Sequence, residues 1–127
     1  MTDTPVLARL RVTPAMSIGP ASTTITLRQR DEKFRITVIE RQYGMPNPLR
    51  RLVNVDASEA MLQLDHLKQL SIPAYPISPQ ICDGSYWKLT IEGEFSSLSL
   101  GWWTVAPQGA ERLAEFAEWL YGAAFPD

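Results

Sequence analysis

The chain has one cysteine, one histidine and no long apolar run, and each scarcity removes a class of protein. With Cys82 alone, no intramolecular disulfide can form and no thiolate zinc site can be completed. One thiol fits a reducing compartment. A solitary His66 beside Asp65 has no nucleophile or ordered water suggested by spacing, so it reads as a surface histidine rather than a general base. No stretch approaches the roughly eighteen apolar residues of a membrane helix. The start, MTDTPVLARLRV, lacks the apolar segment of a secretory signal. A soluble, cytoplasmic protein is the expectation. Glycine-rich phosphate loops, HExxH and EF-hand patterns do not occur. Neither a cofactor nor a metal ion is expected, no catalytic residues are assigned, and the chain does not read as an enzyme.

What remains is globular composition: 127 residues, 45% hydrophobic and 20% charged. That is enough for one domain, residues 1–127, with a single core. Ten prolines gather in the connections and make residues 1–20 a proline-punctuated N-terminal segment. The net charge of −2 hides an uneven distribution. Residues 1–55 carry nine Lys or Arg against four acids, and residues 56–127 carry three against ten. Two such halves can attract each other within one fold, or one of them can serve a charged partner.

Hydrophobic periodicity sets the elements. STTITLRQ alternates with Ile25 and Leu27 on one side, and FRITVIE places Phe34, Ile36 and Val38 together. The polar RDEK between them makes a hairpin. LRRLVNV reads as a further strand, and a short strand is placed around Leu7–Val12. Asp56 opens a helix as its cap, with Glu59 at capping-box spacing. Ala57, Ala60, Met61, Leu64 and Leu67 form that helix's apolar stripe. Three prolines in SIPAYPISPQ end it. The second hairpin turns at Gly93. It sets Trp87, Leu89 and Ile91 opposite Leu98, Leu100 and Trp102, with a bulge near Ser96–Ser97 to restore the parity of Phe95. A last helix, started by Pro107, buries Leu113, Phe116, Ala117, Leu120 and Ala124 and turns Glu111, Glu115 and Glu118 to solvent.

An α+β fold follows: an antiparallel sheet of four to five strands with two helices packed on one face. The other face is expected to carry Thr24, Thr26, Arg28, Arg35, Thr37, Lys88, Thr90 and Ser99. Successive strand residues point to opposite sides, so Trp102 belongs under the helices and Trp103 on the open face or at its edge. Trp103, with Glu92 and Glu94 on the same hairpin, is the candidate partner-binding set, since an exposed indole supplies contact area at low entropic cost. Arg28, Arg30, Lys33 and Arg35 cluster on the first hairpin. Phe34, the one ring among them, points to the core, and the pI of about 5.4 is acidic, so nucleic-acid binding is not expected.

From DGSYWKLTIEGEFSSLSLGWW through PQGAERLAEFAEWL the chain resembles small bacterial proteins in which a DG pair leads into an aromatic-rich strand, a glycine turn, a tryptophan-bearing strand and a proline-started helix. Proteins of this look are similar in size and architecture to immunity proteins that neutralise toxins delivered between bacteria. The resemblance implies a non-enzymatic binding protein with a protein partner, a toxin, and with neither nucleic acid nor membrane. The acidic second half would then steer a basic toxin. The alternative is a small enzyme or ligand-binding domain using the open sheet face and the Pro-rich 71–83 loop as its pocket. A deep cavity holding His66 or Cys82 beside a polar partner would favour it. A homo-oligomer pairing through strand edges is the third reading.

Overall fold

The computed structural model describes residues 6–14, 20–42, 44, 46–68, 85–92, 97–103 and 109–125, Trp103 by its backbone alone. Among them, six strands and two helices follow in the order β1 (Val6–Pro14), β2 (Pro20–Arg30), β3 (Lys33–Gln42), β4 (Leu49–Val55), α1 (Ala57–Lys68), β5 (Ser85–Glu92), β6 (Ser97–Trp103) and α2 (Glu111–Ala124). The strands form one antiparallel sheet in the spatial order β4-β3-β2-β1-β5-β6.

Six strands, rather than four to five, correct the expected count. The short strand placed around Leu7–Val12 is β1, longer than expected at Val6–Pro14, and it lies in the middle of the sheet between β2 and β5. Its sequence, VLARLRVTP, alternates cleanly, but it sits among prolines that signal connections. The described prolines stand at its boundaries: Pro14 is the last residue of β1 and Pro20 the first of β2. Neither position needs to donate into the interior of the ladder, which is where a sheet tolerates proline. The backbone N–H and C=O groups of Arg9 to Val12 are free to pair on both sides.

The first hairpin is closed by the two turn residues Asp31 and Glu32 between the paired Arg30 and Lys33. Asp31 has φ +58°, a region that Asp and Asn enter more readily than other side chains, and its carbonyl accepts from Gln29 Nε2 at 3.0 Å. Alternation then sorts the strands. Ala8, Leu10, Ile25, Leu27, Ile36, Val38 and Leu89 are buried against Leu113, Phe116, Ala117 and Leu120 of α2 and Ala60 of α1. The stripe expected on α2 is therefore the buried one in full. At about 25 cal/mol per Å² of apolar surface, burying each large side chain contributes roughly 1.5–3 kcal/mol, so this seam dominates the fold.

On α1 the expectation is corrected at one position. Ala57, Ala60, Leu64 and Leu67 do pack on the core, but Met61 is 55% exposed. The helix presents only a narrow strip to the core, and the next position round falls outside it. The Asp56 cap is present, its carboxylate accepting from the Glu59 amide at 3.2 Å. The Glu59 carboxylate accepts instead from Trp119 Nε1 at 2.9 Å, tying α1 to α2. α2 begins at Glu111 behind Ala110, later than a Pro107 start; Pro107 itself lies outside the described residues.

The far end of α2 is held by aromatic contacts. Trp102 and Trp87 stack with centroids 6.5 Å apart, Trp87 meets Tyr121 at 5.4 Å, and Tyr121 meets Phe125 at 5.0 Å. Arg51 of β4 closes the row, its guanidinium 4.8 Å from the Phe125 ring centroid and donating to the Ala124 carbonyl at 2.8 Å. No basic residue stands in the last turn of α2, so Arg51 brings the positive charge that the carbonyl end of a helix favours.

Candidate functional site: the helix-free face of the sheet

Every second strand residue points away from the helices, and the register brings those residues into rows. One row runs Leu52, Thr37, Thr26, Arg9, Thr90, Ser99 across all six strands. The next runs Arg50, Ile39, Thr24, Arg11, Lys88, Gly101. Beyond the first row, Arg28 opposes Arg35 and Arg30 opposes Lys33. The face expected from alternation is thus assembled, with Arg9, Arg11 and Arg50 added to it by β1 and β4.

Its chemistry is cationic and hydroxylic. Arg9, Arg11, Arg35, Arg50 and Lys88 are exposed, whereas Thr26 at the centre is buried beneath its neighbours. Thr90 Oγ1 and Ser99 Oγ lie 3.2 Å apart in a cross-strand hydrogen bond. At the corner near the first hairpin, an open groove of about 920 Å³ is lined by Arg28, Arg30, Lys33, Arg35, Thr37 and Leu52, together with Asp31 and Glu32 of the turn. Leu52 is 60% exposed there.

At the β6 edge Tyr86 leans over Gly101. A Cβ on that glycine would overlap the Tyr86 hydroxyl, so the absence of a side chain is what lets the ring lie across the edge strand. The backbone of Trp103 is paired with that of Tyr86, and the alternation of β6 sets it on the parity opposite Trp102, which is buried. Glu92 is exposed at the end of β5, opposite Ser97. Glu94, the turn at Gly93 and the bulge position Ser96 lie outside the described residues, as do Cys82 and the 71–83 loop. His66 is exposed on α1 beside a crevice of only about 10 Å³ lined also by Arg112 and Glu115.

The helix layer has the opposite sign. Asp56, Glu59, Asp65, Glu111, Glu115 and Glu118 are all exposed, with Arg112 exposed among them. The Glu111 carboxyl is held below the ordinary carboxylate range because it accepts from its own backbone N–H and from that of Gly109, with both oxygens 3.1 Å from the latter nitrogen. Reasoning from the sequence missed Arg9 and Arg11 as members of the site. Each stands between two apolar residues in the alternation of VLARLRV, and only the central placement of β1 puts them beside Lys88 and the first hairpin.

Among the described residues no helix is long and apolar enough to cross a membrane, and no three His, Cys, Asp or Glu side chains gather as metal ligands would. No protein-family model matches the chain, and no curated protein matches it.

Proposed function

We propose that the chain is a non-enzymatic binding protein of the immunity class, which neutralises a bacterial toxin by docking it on the helix-free face of the sheet. The observation that carries this reading is the one-sided packing of α1 and α2, with Arg9, Arg11, Arg35, Arg50, Leu52, Lys88 and Ser99 exposed on the reverse. A flat, rigid, preorganised surface loses little conformational freedom when a partner settles on it, which is where binding free energy is otherwise spent. Trp103, on that parity at the edge, remains the proposed aromatic anchor, with Glu92 and Glu94 as polar rim contacts.

The test is protection. The chain is co-expressed with candidate toxins taken from neighbouring genes, and growth is compared with that of Trp103→Ala and of Thr37→Trp, which puts bulk on the face without altering charge. Protection should be lost with Thr37→Trp and weakened with Trp103→Ala. Undiminished protection by both variants, each shown to be folded by circular dichroism, removes the docking face.

A second reading, a ligand-binding domain on the same face, is favoured by the 920 Å³ groove with its four cations. Titration calorimetry with small anions such as citrate or inorganic phosphate separates the two, since a protein-docking face should show no saturable heat.

A further inference from the structure

We infer that the docking face accepts an acidic, extended protein segment, which reverses the sign of partner suggested by the acidic second half of the chain. This inference rests on the docking face proposed above. Cations run diagonally over the sheet, from the Arg30–Lys33 pair at the hairpin turn, past Arg35, to Arg9, Arg11 and Lys88. With strands about 4.8 Å apart and about 3.4 Å per residue, the stripe is roughly 22 Å long. A line of charge fits a line of charge.

Its members are placed against their own electrostatic interest. Arg11 and Lys88 are directly opposed across β1 and β5, and Arg30 opposes Lys33. Like charges at directly opposed positions destabilise a sheet. The register neighbours of Arg9, Thr26 and Thr90, carry hydroxyls, as does Thr24 beside Arg11. An incoming row of carboxylates would relieve that repulsion, and arginine's planar fork can hold each one by two hydrogen bonds. The acidic helix layer behind the sheet repels the same segment, so the field also selects which side it approaches.

A single-stranded nucleic acid is the competing linear polyanion, and the side chains disfavour it. Sheets that bind single strands stack bases on rings in their central strands. Here the ladder-paired outward positions of β1, β2 and β3 hold side chains such as Arg, Lys, Ser, Thr and Ile39, and the described ring of the face, Tyr86, is laid over Gly101 at the edge. Leu52 and Ile39 beside the stripe offer the apolar contact of a protein interface instead.

Fluorescence anisotropy tests this with three labelled probes of matched length: a Glu/Asp-rich peptide carrying one leucine, a Lys-rich peptide and an oligo-dT. The acidic peptide should bind, more weakly as salt rises past the level at which the screening length nears 10 Å, about 0.1 M. It should bind more tightly than oligo-dT, and the Lys-rich peptide should not compete. Arg11→Glu should weaken the acidic peptide by about tenfold, while Glu115→Lys on α2 should change it less than about twofold. Tighter binding of oligo-dT, or indifference to Arg11→Glu, overturns the inference. In the growth assay, protection lost with Thr37→Trp but retained with Arg11→Glu overturns the acidic partner and leaves the docking face standing; protection retained with both removes the face itself.

Discussion

Leu10 and Arg11 are adjacent in β1, and they belong to different regions of the molecule. Leu10 is fully buried under α2 between Ile25 and Leu89, while Arg11 stands exposed between Thr24 and Lys88. The same division runs through the whole sheet: one side is apolar and covered by helices whose solvent face is acidic, the other is basic and, among the described residues, carries no helix. Folding free energy is concentrated on the first side, because burial scales with apolar area, whereas exposed charges contribute little. The second side is therefore free to be arranged for something other than stability. The separation of sign between layers also gives the molecule a directional field. Acids and bases interspersed on both faces would have met the demands of solubility without one.

The largest effect that tests this division is Leu10→Ala against Arg11→Ala. The first leaves a cavity in a packed seam and should cost about 3 kcal/mol, within the usual 2–5 for buried leucine. The second should lie within about 0.5 kcal/mol of the parent. Urea unfolding followed by far-ultraviolet circular dichroism measures both. Equal losses would show that the basic face is part of what holds the sheet together, and the distinction between the two sides would fail.

The two regions were unequally legible in the sequence. The covered side follows from periodicity alone: Ile25 and Leu27, Phe34 to Val38, and the α2 stripe Leu113 to Ala124 each repeat at the spacing of their element, and a repeat is a local property. The uncovered side depends on register and strand order, which are not local. Arg28 and Arg35 meet because a two-residue turn fixes the hairpin, and that much could be read. Arg11 meets Lys88 only because β1 pairs with β5 across more than seventy intervening residues, and nothing in VLARLRV announces its neighbour. Met61 shows a smaller failure of the same kind. Helical spacing allowed it on the stripe, but the width of the stripe is set by the sheet beneath.

Arg51 is the exception that sharpens the comparison, a cation on the covered side. Its neighbour in register is the buried Val38, and its guanidinium serves the end of α2 and the Phe125 ring. Arg51→Met keeps the apolar stem and removes both contacts. A partly exposed charged hydrogen bond and an exposed cation–π contact together suggest a loss of about 1–2 kcal/mol, in contrast to the near-silence of Arg50→Met next to it. Thermal unfolding of the two variants decides whether side, rather than residue type, determines the cost.

Gly101→Ala probes the uncovered side at its edge. The new methyl must displace the Tyr86 ring, and the cost should be about 1 kcal/mol, since the atoms in the way belong to the far end of a side chain that can swing. Because the strain exists only while Tyr86 is there, Tyr86→Ala should absorb it, and the double variant should lose clearly less than the sum of the two singles. Additive losses would mean that the ring does not rest on Gly101.

The smallest effect concerns the acidic layer. Glu111 is fully exposed, yet its carboxylate accepts from its own N–H and from that of Gly109, a residue at φ +93° that leads into a helix whose cap position, Ala110, has no side-chain acceptor. The charge also lies at the positive end of α2. Its folded pKa is lowered, so the stabilisation is present at and above the ordinary carboxylate range, where the unfolded chain is ionised as well. It is lost as pH falls through the folded value, where protonation removes the acceptor. Glu111→Gln should therefore melt slightly below the parent at neutral pH, and the gap should close as the solution is acidified beyond that range. A gap that persists in acid would assign the role of Glu111 to the shape of its side chain, and the acidic layer would then contribute charge to the molecule's field without any part in holding the helix.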